Sequence, residues 1–296
     1  MNKPLVSVII NCYNGEKYLN EAISSAINQS YKNIEIIFWD NQSTDSSKAI
    51  VNSFDDGRIR YFYAKTFTKL YEARDLAIKE SKGDFITFLD VDDFWDHEKL
   101  DMQIKHFDNP NTGIVCSNFN ILNQKTKSFS LAHKNEMKSG NVINDLLNFY
   151  YVGLVTIMIR KSAYIDSGNY CNKDFHIIGD FDLVMRICKI NELRYLNVPL
   201  ATYRSHENSE SKKHLYMQAQ ELRKWHEENK NDQIFTKYKN MDSIIPTSYY
   251  LEGLSYILGN KRIRALKFLR FMRKKDQLKI MILFFLPSLV IKMLRR

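Results

Sequence analysis

Residues 84–93 read DFITFLDVDD, an apolar stretch that runs directly into three carboxylates within four residues. The short apolar part predicts a buried strand. Asp90, Asp92 and Asp93 repel one another, and packing them at the end of a buried strand costs desolvation free energy. A divalent cation would remove both penalties, because Mg²⁺ and Mn²⁺ prefer oxygen ligands. The alternative interpretation is a solvated acidic turn.

Strands and helices alternate on the amino-terminal side of this stretch. Strands are predicted at residues 5–10, 34–39, 59–63 and 84–89, and helices at 16–29, 45–54, 70–81 and 97–107. This order predicts an α/β fold with a mainly parallel sheet that carries helices on both faces. Ligands of such sheets bind outside the carboxyl ends of the strands. Asn11, Asp40 and Asp90 each follow a predicted strand, so we expect them along one edge.

The second half of the chain is less regular. We predict strands at 113–119 and 154–159, a loop or hairpin at 120–140, a helix at 180–191 and short extended pieces at 194–198 and 202–204. From about residue 212 onward the pattern is helical. These patterns divide the chain into an α/β domain at 1–215 and a helical region at 216–296.

Composition excludes several classes of protein. The chain has 296 residues, 26% charged and 44% hydrophobic, which is typical of a globular protein and not of a disordered one. Its four cysteines are scattered without CxxC spacing, which argues against a zinc site or a disulfide framework. The first residues lead straight into a strand, so we expect no secretion signal and a reducing, cytoplasmic setting.

Four ordered motifs carry a resemblance to a known family. They are SVIINCYNGEKYLNEA, IEIIFWDNQSTDSS, EARDLAIKESKGDFITFLDVDDFW and the weaker pair GDFDL and YRSH. Together they resemble glycosyltransferase family 2 with the GT-A fold, of the bacterial surface-polysaccharide type. The resemblance implies a Rossmann-like, mostly parallel mixed sheet. It also implies an enzyme that transfers a hexosyl or N-acetylhexosaminyl group from a nucleotide-sugar, with Mn²⁺ or Mg²⁺ as cofactor.

The resemblance also assigns roles to individual residues. It implies that Asp180 is the catalytic base. Asp92 would be the direct metal ligand, with Asp90 and His206 as further ligands. The expected nucleotide-binding residues are Asn11, Tyr13, Asp40, Asn41, Arg74, Asp90 and Arg204. Asp182 is the rival of Asp180, and because two residues of a helix that are two positions apart point about 200° from each other, only one can face the acceptor.

The sequence departs from the family pattern at two positions. Asn41 stands where many relatives have a second Asp, which makes the nucleobase less certain, although UDP is the favoured nucleotide. Gly179 stands where relatives often have Glu, which puts acceptor contacts in doubt. The QxxRW motif of polymerising relatives is absent, which favours transfer of a single sugar. One base and one metal, with no nucleophilic carboxylate expected on the reacting face, would imply direct displacement with inversion. A metal-dependent nucleotidyltransferase and a non-catalytic scaffold that retains the fold are the alternatives.

The positive charge is concentrated at the carboxyl terminus. Residues 259–296 contain twelve Lys and Arg and one acid, so the preceding residues sum to −2 within the net charge of +9. Ile263, Leu266, Leu269 and Met272 recur every three residues, which predicts a basic amphipathic helix. The apolar stretch after it, up to residue 291, is too short to span a bilayer, which needs roughly 20 residues.

We therefore expect this tail to lie on the inner face of the cell membrane as a peripheral anchor. The resemblance then implies a saccharide acceptor linked to polyprenyl diphosphate, used in surface-polysaccharide synthesis. The alternatives are that these helices pack on the protein or form a homo-oligomer interface. We expect no nucleic-acid partner, because no reading motif accompanies the charge.

Overall fold

The structure is a computed structural model, and it describes residues 3–206, 209–287 and 290–291, without the side chains of residues 211 and 212. The chain forms two compact units. The first comprises Met1–Val142 and Tyr151–Ser205, and the second comprises Ile143–Tyr150 and His206–Arg296.

The first unit is built on a nine-stranded mixed sheet. Its strands are β1 (Val6–Cys12), β2 (Ile34–Asp40), β3 (Ile59–Tyr63), β4 (Phe85–Phe88), β5 (Phe94–Trp95), β6 (Thr112–Asn123), β7 (Phe129–Leu131), β8 (Met158–Arg160) and β9 (Glu192–Ser205). The order across the sheet is β3-β2-β1-β4-β8-β6-β9-β5, with β7 paired to β6. The predicted fold class is thus confirmed: β1 to β4 pair in parallel, and so do β6 and β9.

Helices cover this sheet. They are α1 (Glu16–Ile27), α2 (Ser47–Asn52), α3 (Leu70–Lys79), α4 (Lys99–Ile104), α6 (Lys161–Asp166) and α7 (Gly179–Cys188). The helix between α4 and α6 in the chain, α5, belongs to the second unit. The apolar spacing of α1 buries Leu19, Ala22, Ile23 and Ala26. These residues join the apolar side chains of β1 and β2 in one core, since parallel strands covered by helices are apolar throughout.

Two predictions for the second half differ from the structure. The predicted extended pieces at 194–198 and 202–204 belong to one long strand, β9, whose pairing with β6 continues through several register irregularities. The charged and polar residues of β9 hide it from a search for apolar alternation, because cross-strand pairing decides its structure. Residues 154–156 form a 3₁₀ helix before β8, although a strand was predicted there. The predicted hairpin is confirmed as β6 and β7.

The second unit is helical. It contains α5 (Ile143–Asn148), α8 (Glu210–Lys213), α9 (Leu215–Asn229), α10 (Ile244–Leu258), α11 (Arg262–Leu266) and α12 (Lys274–Phe285). The predicted basic amphipathic helix is divided, because a 3₁₀ turn at Leu269–Phe271 separates α11 from α12. None of the helices in the described part of the chain is long and apolar enough to cross a membrane. Leu289, Lys292, Arg295 and Arg296 of the predicted anchor lie outside the described residues.

Candidate active site

Three strands bring their carboxyl ends to one edge of the sheet. β1 pairs in parallel with β2, with Cys12 opposite Asp40. β1 also pairs in parallel with β4, and the N–H of Leu89 continues this pairing by donating to the carbonyl of Ile9 at 3.0 Å. Asn11, Asp40 and Asp90 therefore lie at adjacent positions along one edge, as their sequence positions predict.

The side chains of Asn11 and Asp40 differ in their hydrogen-bond partners. The side-chain Nδ2 of Asn11 is buried and has no hydrogen-bond partner. A buried donor without a partner costs free energy, so this amide is available to a ligand acceptor. Asp40 is fully buried, and its two carboxylate oxygens accept hydrogen bonds from the N–H of Ser43 and the hydroxyl of Tyr61, both at 2.7 Å. The carboxylate of Asp40 thus fixes the turn after β2.

Asn41 holds the loop that follows β3. Its side-chain amide donates to the carbonyl of Thr68 at 2.8 Å and accepts from the N–H and hydroxyl of Thr68, both at 3.2 Å. The neighbouring Phe67 makes an edge contact with Tyr13, with ring centroids 4.9 Å apart. Both rings are more than half exposed, at 57% and 54%. Asn41 thus fixes the position of the loop beside this edge of the sheet by bonding the backbone of Thr68.

The acidic stretch after β4 is held from two sides. On one side, the guanidinium of Arg74 in α3 donates to Oδ1 of Asp90 at 2.6 Å. Arg74 is 3% exposed. Burial alone would lower the pKa of this guanidinium, but the charges of Asp90 and Asp180 together with its ring neighbour Tyr71 raise it above its ordinary value. Arg74 therefore stays charged and pairs with Asp90.

On the other side, Arg204 at the end of β9 is a buried clamp. Its Nε donates to the backbone carbonyl of Asp92 and its Nη1 to Gln124, both at 2.8 Å, and its Nη2 pairs with Glu21. Its backbone N–H donates to Oδ1 of Asp93 at 2.8 Å. Burial, reinforced by the charges of Asp92 and Asp90, raises the pKa of Asp93 well above its ordinary value. All these partners belong to the protein, so Arg204 shapes the acidic stretch.

Asp180 and Asp182 have different surroundings on α7. Asp182 is buried and forms an ion pair with Arg186 one turn later, at 2.9 Å. Asp180 is partly buried, and its Oδ1 accepts a hydrogen bond from the hydroxyl of Tyr71 at 3.2 Å. Burial raises the pKa of Asp180, against the opposing effects of Arg74 and Tyr71. A carboxyl group whose pKa is raised by burial is a candidate for proton transfer.

The described residues do not provide a complete set of metal ligands. No group of three or more His, Cys, Asp or Glu side chains there lies close enough together to hold a metal ion. His206 belongs to the second unit, and its role as a ligand stays a prediction. The partly exposed Asp92 nevertheless suits Mg²⁺ or Mn²⁺, which commonly take one or two carboxylates and complete their shell with substrate phosphates and water.

Sequence reasoning missed three residues that shape the site: Tyr71, Glu21 and Gln124. Tyr71 contacts Asp180, whereas Glu21 and Gln124 contact Arg204, all across long separations in sequence. Asp93 was predicted as one of three carboxylates around a cation, but it is buried and accepts a hydrogen bond from the backbone N–H of Arg204. Tyr71, Glu21 and Gln124 show no pattern beyond ordinary helix and loop positions.

Comparisons with known proteins agree with this geometry. The model of the family "Glycosyl transferase family 2" matches residues 7–167. An uncharacterized glycosyltransferase of Haemophilus influenzae is 45% identical over 106 residues, which cover 35% of this chain and 42% of that protein. The Escherichia coli protein WfgD, named UDP-Glc:alpha-D-GlcNAc-diphosphoundecaprenol beta-1,3-glucosyltransferase, is 30% identical over 197 residues, 67% of this chain and 75% of its own length.

Solved structures confirm the GT-A fold. TarS 1-349 of S. aureus, in complex with UDP-GlcNAc, superposes with a TM-score of 0.68 at 17% identity, over 92% of this chain and 82% of that one. The mannosyltransferase PcManGT of Pyrobaculum calidifontis, with GDP-Man and Mn²⁺, gives a TM-score of 0.61 at 14% identity, over 98% and 87% of the two chains. The family match covers more than half of the sequence and includes the edge of the sheet, and the chain therefore belongs to glycosyltransferase family 2.

Proposed function

We propose that the protein transfers one sugar from a UDP-sugar to a hydroxyl group of a lipid-linked saccharide, with inversion at the anomeric carbon. The observation that carries this proposal is a connection through α3. Arg74 pairs with Asp90 of the acidic stretch, and Tyr71, one turn earlier on the same helix, donates to Asp180. The acidic group for a donor and the candidate base for an acceptor are thus held by adjacent side chains.

Asp180 is suited to remove the proton of the acceptor hydroxyl. A hydroxyl group is a poor nucleophile, and a carboxylate within hydrogen-bond reach that takes its proton in the transition state contributes roughly 10²–10⁴-fold to the rate. The raised pKa of Asp180 makes it a stronger base than an exposed aspartate. Asp182 is committed to Arg186. A single base that acts on the acceptor hydroxyl would correspond to direct displacement.

The donor nucleotide would lie along the edge of the sheet where β1, β2 and β4 end. The unpaired amide of Asn11 can donate to it, and the exposed ring of Tyr13 offers an apolar surface. Asp92 and Asp90 would hold Mn²⁺ or Mg²⁺. The bound cation would neutralise the negative charge that develops on the departing diphosphate. Arg74 would add a fixed positive charge beside Asp90.

The acceptor proposal rests on the relatives and on surface chemistry. WfgD and WfaP of Escherichia coli carry names that specify GlcNAc linked to diphosphoundecaprenol as the acceptor. TuaG of Bacillus subtilis is named a putative teichuronic acid biosynthesis glycosyltransferase and is 28% identical over 211 residues. A polyprenyl-linked acceptor is confined to the membrane, so we place this protein in surface-polysaccharide synthesis at the inner face of the cell membrane.

The outer face of α12 supports the membrane location. Its inner face packs on α10 through Ile280, whereas the outer face exposes apolar side chains one turn apart, which are Leu278, Met281, Ile282 and Phe285. Lys274, Lys275 and Lys279 of the same helix are exposed, and so are Lys261, Arg264, Lys267 and Arg270 of the segment before it. The one acid between residues 261 and 285, Asp276, is 6% exposed. Apolar insertion beside cations suits an anionic membrane surface.

A second copy of the chain suits the outer face of α12 less well. A two-fold contact on this face would bring the same row of cations against itself, and like charges repel across an interface. Anionic lipid headgroups supply the opposite charge. We therefore favour the membrane over a homo-oligomer interface.

Product analysis tests the proposed reaction. The purified protein is incubated with Mn²⁺, a GlcNAc-diphosphate-lipid acceptor and UDP-glucose, UDP-galactose or UDP-GlcNAc in turn. We expect one donor to yield free UDP and a longer lipid-linked saccharide. Asp92→Ala and Asp180→Asn should each abolish turnover. Release of pyrophosphate would instead indicate a nucleotidyltransferase, and near-normal transfer by both variants would reject the site assignment.

A further inference from the structure

Position 179 has no side chain, and the ring of Tyr71 fills the space. A Cβ atom added at Gly179 would lie 2.5 Å from the Tyr71 ring, which is closer than atoms can approach. The ring is 4% exposed, so it has no open solvent into which to move. Only glycine at the start of α7 therefore lets this ring lie across the helix terminus and bring its hydroxyl to Asp180.

The Tyr71 ring makes a second contact, with Arg74. The guanidinium carbon of Arg74 lies 4.8 Å from the ring centroid, in the range of a cation–π contact. Arg74 is itself fixed by its 2.6 Å hydrogen bond to Asp90. The ring thus packs against Gly179 and against a guanidinium that is anchored on the acidic stretch.

We infer that Tyr71 is a positioning residue for Asp180, one that aims the carboxylate and favours its ionised form, and that Gly179 is required because it makes room for Tyr71. This inference rests on the proposed function of Asp180 as the base. The hydrogen bond is made by a donor, so it stabilises the charged carboxylate relative to the neutral acid. Tyr71 itself stays protonated, because burial and the charge of Asp180 raise its pKa well above the ordinary value.

The groups that face Asp180 set the direction of the pH effect. Burial raises the pKa of Asp180, while the charge of Arg74, the hydroxyl of Tyr71 and the backbone N–H groups of Phe181 and Asp180 itself lower it. Tyr71→Phe removes one of these opposing effects and leaves Arg74, with its partner Asp90, in place. The pKa of Asp180 then rises further, and the ionised base is lost at a higher pH than in the native protein.

The test is the pH dependence of sugar transfer, with UDP-glucose or whichever UDP-sugar is turned over and a GlcNAc-diphosphate-lipid acceptor. For Tyr71→Phe we expect kcat to fall roughly tenfold at neutral pH, with the KM for the donor unchanged. We also expect the acid limb of the profile to move to higher pH. Gly179→Ala, which forces the ring away, should move the limb in the same direction although the phenol is present.

Tyr164→Phe is the matched control. Tyr164 is as buried as Tyr71, and its hydroxyl donates to a carboxylate on the same helix, that of Asp75, at 2.9 Å. This variant should lose a comparable hydrogen bond and stability without moving the acid limb. A native pH profile for Tyr71→Phe, or an equal shift in Tyr164→Phe, would overturn the inference.

Two further measurements separate this inference from the proposed function. If Asp180→Asn is inactive and Tyr71→Phe has the native profile, only the role of Tyr71 is wrong. If Asp180→Asn keeps its turnover, both proposals are wrong. A double-mutant cycle of Tyr71→Phe with Asp180→Ala in urea unfolding needs no substrate. We expect a coupling of roughly tenfold in the unfolding equilibrium constant, and strict additivity would contradict the contact.

Discussion

The backbone N–H of Arg204 donates to the buried carboxylate of Asp93 at 2.8 Å, and this bond joins the end of β9 to the acidic stretch after β4. The side chain of Arg204 reinforces the joint through the carbonyl of Asp92. The residue that resembles a diphosphate-binding arginine thus has its donors directed at the protein. The stretch that would grip a cation owes its conformation to a strand more than a hundred residues further along the chain.

Arg204→Lys is expected to destabilise the fold before it affects substrate contacts. Lysine cannot reproduce the planar set of donors that reaches Asp92, Gln124 and Glu21 together. We expect a loss of about 2–3 kcal/mol in the free energy of unfolding, since buried hydrogen bonds to charged groups have this magnitude. Urea denaturation measures it, and UDP affinity in the presence of Mn²⁺ should fall as the acidic stretch loosens.

Arg58→Lys serves as the control for this prediction, because Arg58 also makes several hydrogen bonds, to Asp56 and to the carbonyl of Ile27, but away from the acidic stretch. It should leave UDP affinity unchanged. Native stability of Arg204→Lys together with lost UDP binding would contradict the clamp and favour direct contact with the diphosphate.

Asn41→Asp introduces the acid that the family resemblance predicts at this position. We expect it to loosen the loop that Asn41 holds through Thr68. The amide NH₂ of Asn41 donates to the carbonyl oxygen of Thr68 at 2.8 Å. A carboxylate cannot donate, so two oxygens would face each other there, at a cost of about 1–3 kcal/mol for the lost partner. Thermal unfolding should occur at lower temperature, and UDP should bind more weakly as Phe67 moves away from Tyr13.

Asn33→Asp is a suitable control for this substitution. Asn33 also donates its amide to a backbone carbonyl, that of Lys3, but at an exposed position. Tighter UDP binding by Asn41→Asp at unchanged melting temperature would show that residue 41 contacts the base directly.

β1, β2 and β4 could be predicted from sequence because they are almost wholly buried and consist mostly of apolar residues. The same physics locates the carboxyl ends of those strands, and hence Asn11, Asp40 and Asp90. β9 was not predicted as one strand, since its structure depends on pairing with β6 across register irregularities.

The residues that surround the candidate base could not be predicted in the same way. Tyr71 reads as an ordinary apolar position of α3, and Gly179 reads as the loss of a functional glutamate. Their relation is steric and appears only when α3 and α7 are packed together, where the ring occupies the space above the glycine. Sequence patterns report which face of a helix is buried, but they do not report which side chain fills which gap.

Lys99 supplies a prediction about pH and stability. It is fully buried in α4, and its Nζ donates to neutral acceptors, Thr87 Oγ1 at 3.1 Å and Gln103 Oε1 at 2.9 Å. Burial lowers the pKa of Lys99 well below its ordinary value of 10.5. Between these two pKa values the unfolded chain binds a proton that the folded chain does not, so this group makes stability rise with pH across that window.

Lys99→Met should remove this rise, at the cost of leaving the buried Gln103 Oε1 without its donor. Methionine fills a similar volume without a charge to desolvate, and Thr87 keeps its hydrogen bond to the carbonyl of Ile157. Urea unfolding at several pH values from about 7 to 10 measures the slope. Lys105→Met, at an exposed lysine nearby, should keep the native slope. A native slope in Lys99→Met as well would show that the buried amine stays protonated.

The outer face of α12 provides the last prediction, which concerns location. Combined substitution of Leu278, Ile282 and Phe285 by serine removes exposed apolar surface and leaves Ile280, which packs on α10, unchanged. Sedimentation with phosphatidylglycerol vesicles should fall at least roughly tenfold, because each inserted side chain contributes about 1 kcal/mol or more.

Ile190→Ser, which changes a comparably exposed side chain of the first unit, should sediment like the native protein. Native protein should bind phosphatidylcholine vesicles weakly, since the cations would have no headgroup charge to meet. Equal sedimentation of all three proteins, or a dimer that the triple substitution dissociates, would assign this face to something other than the membrane.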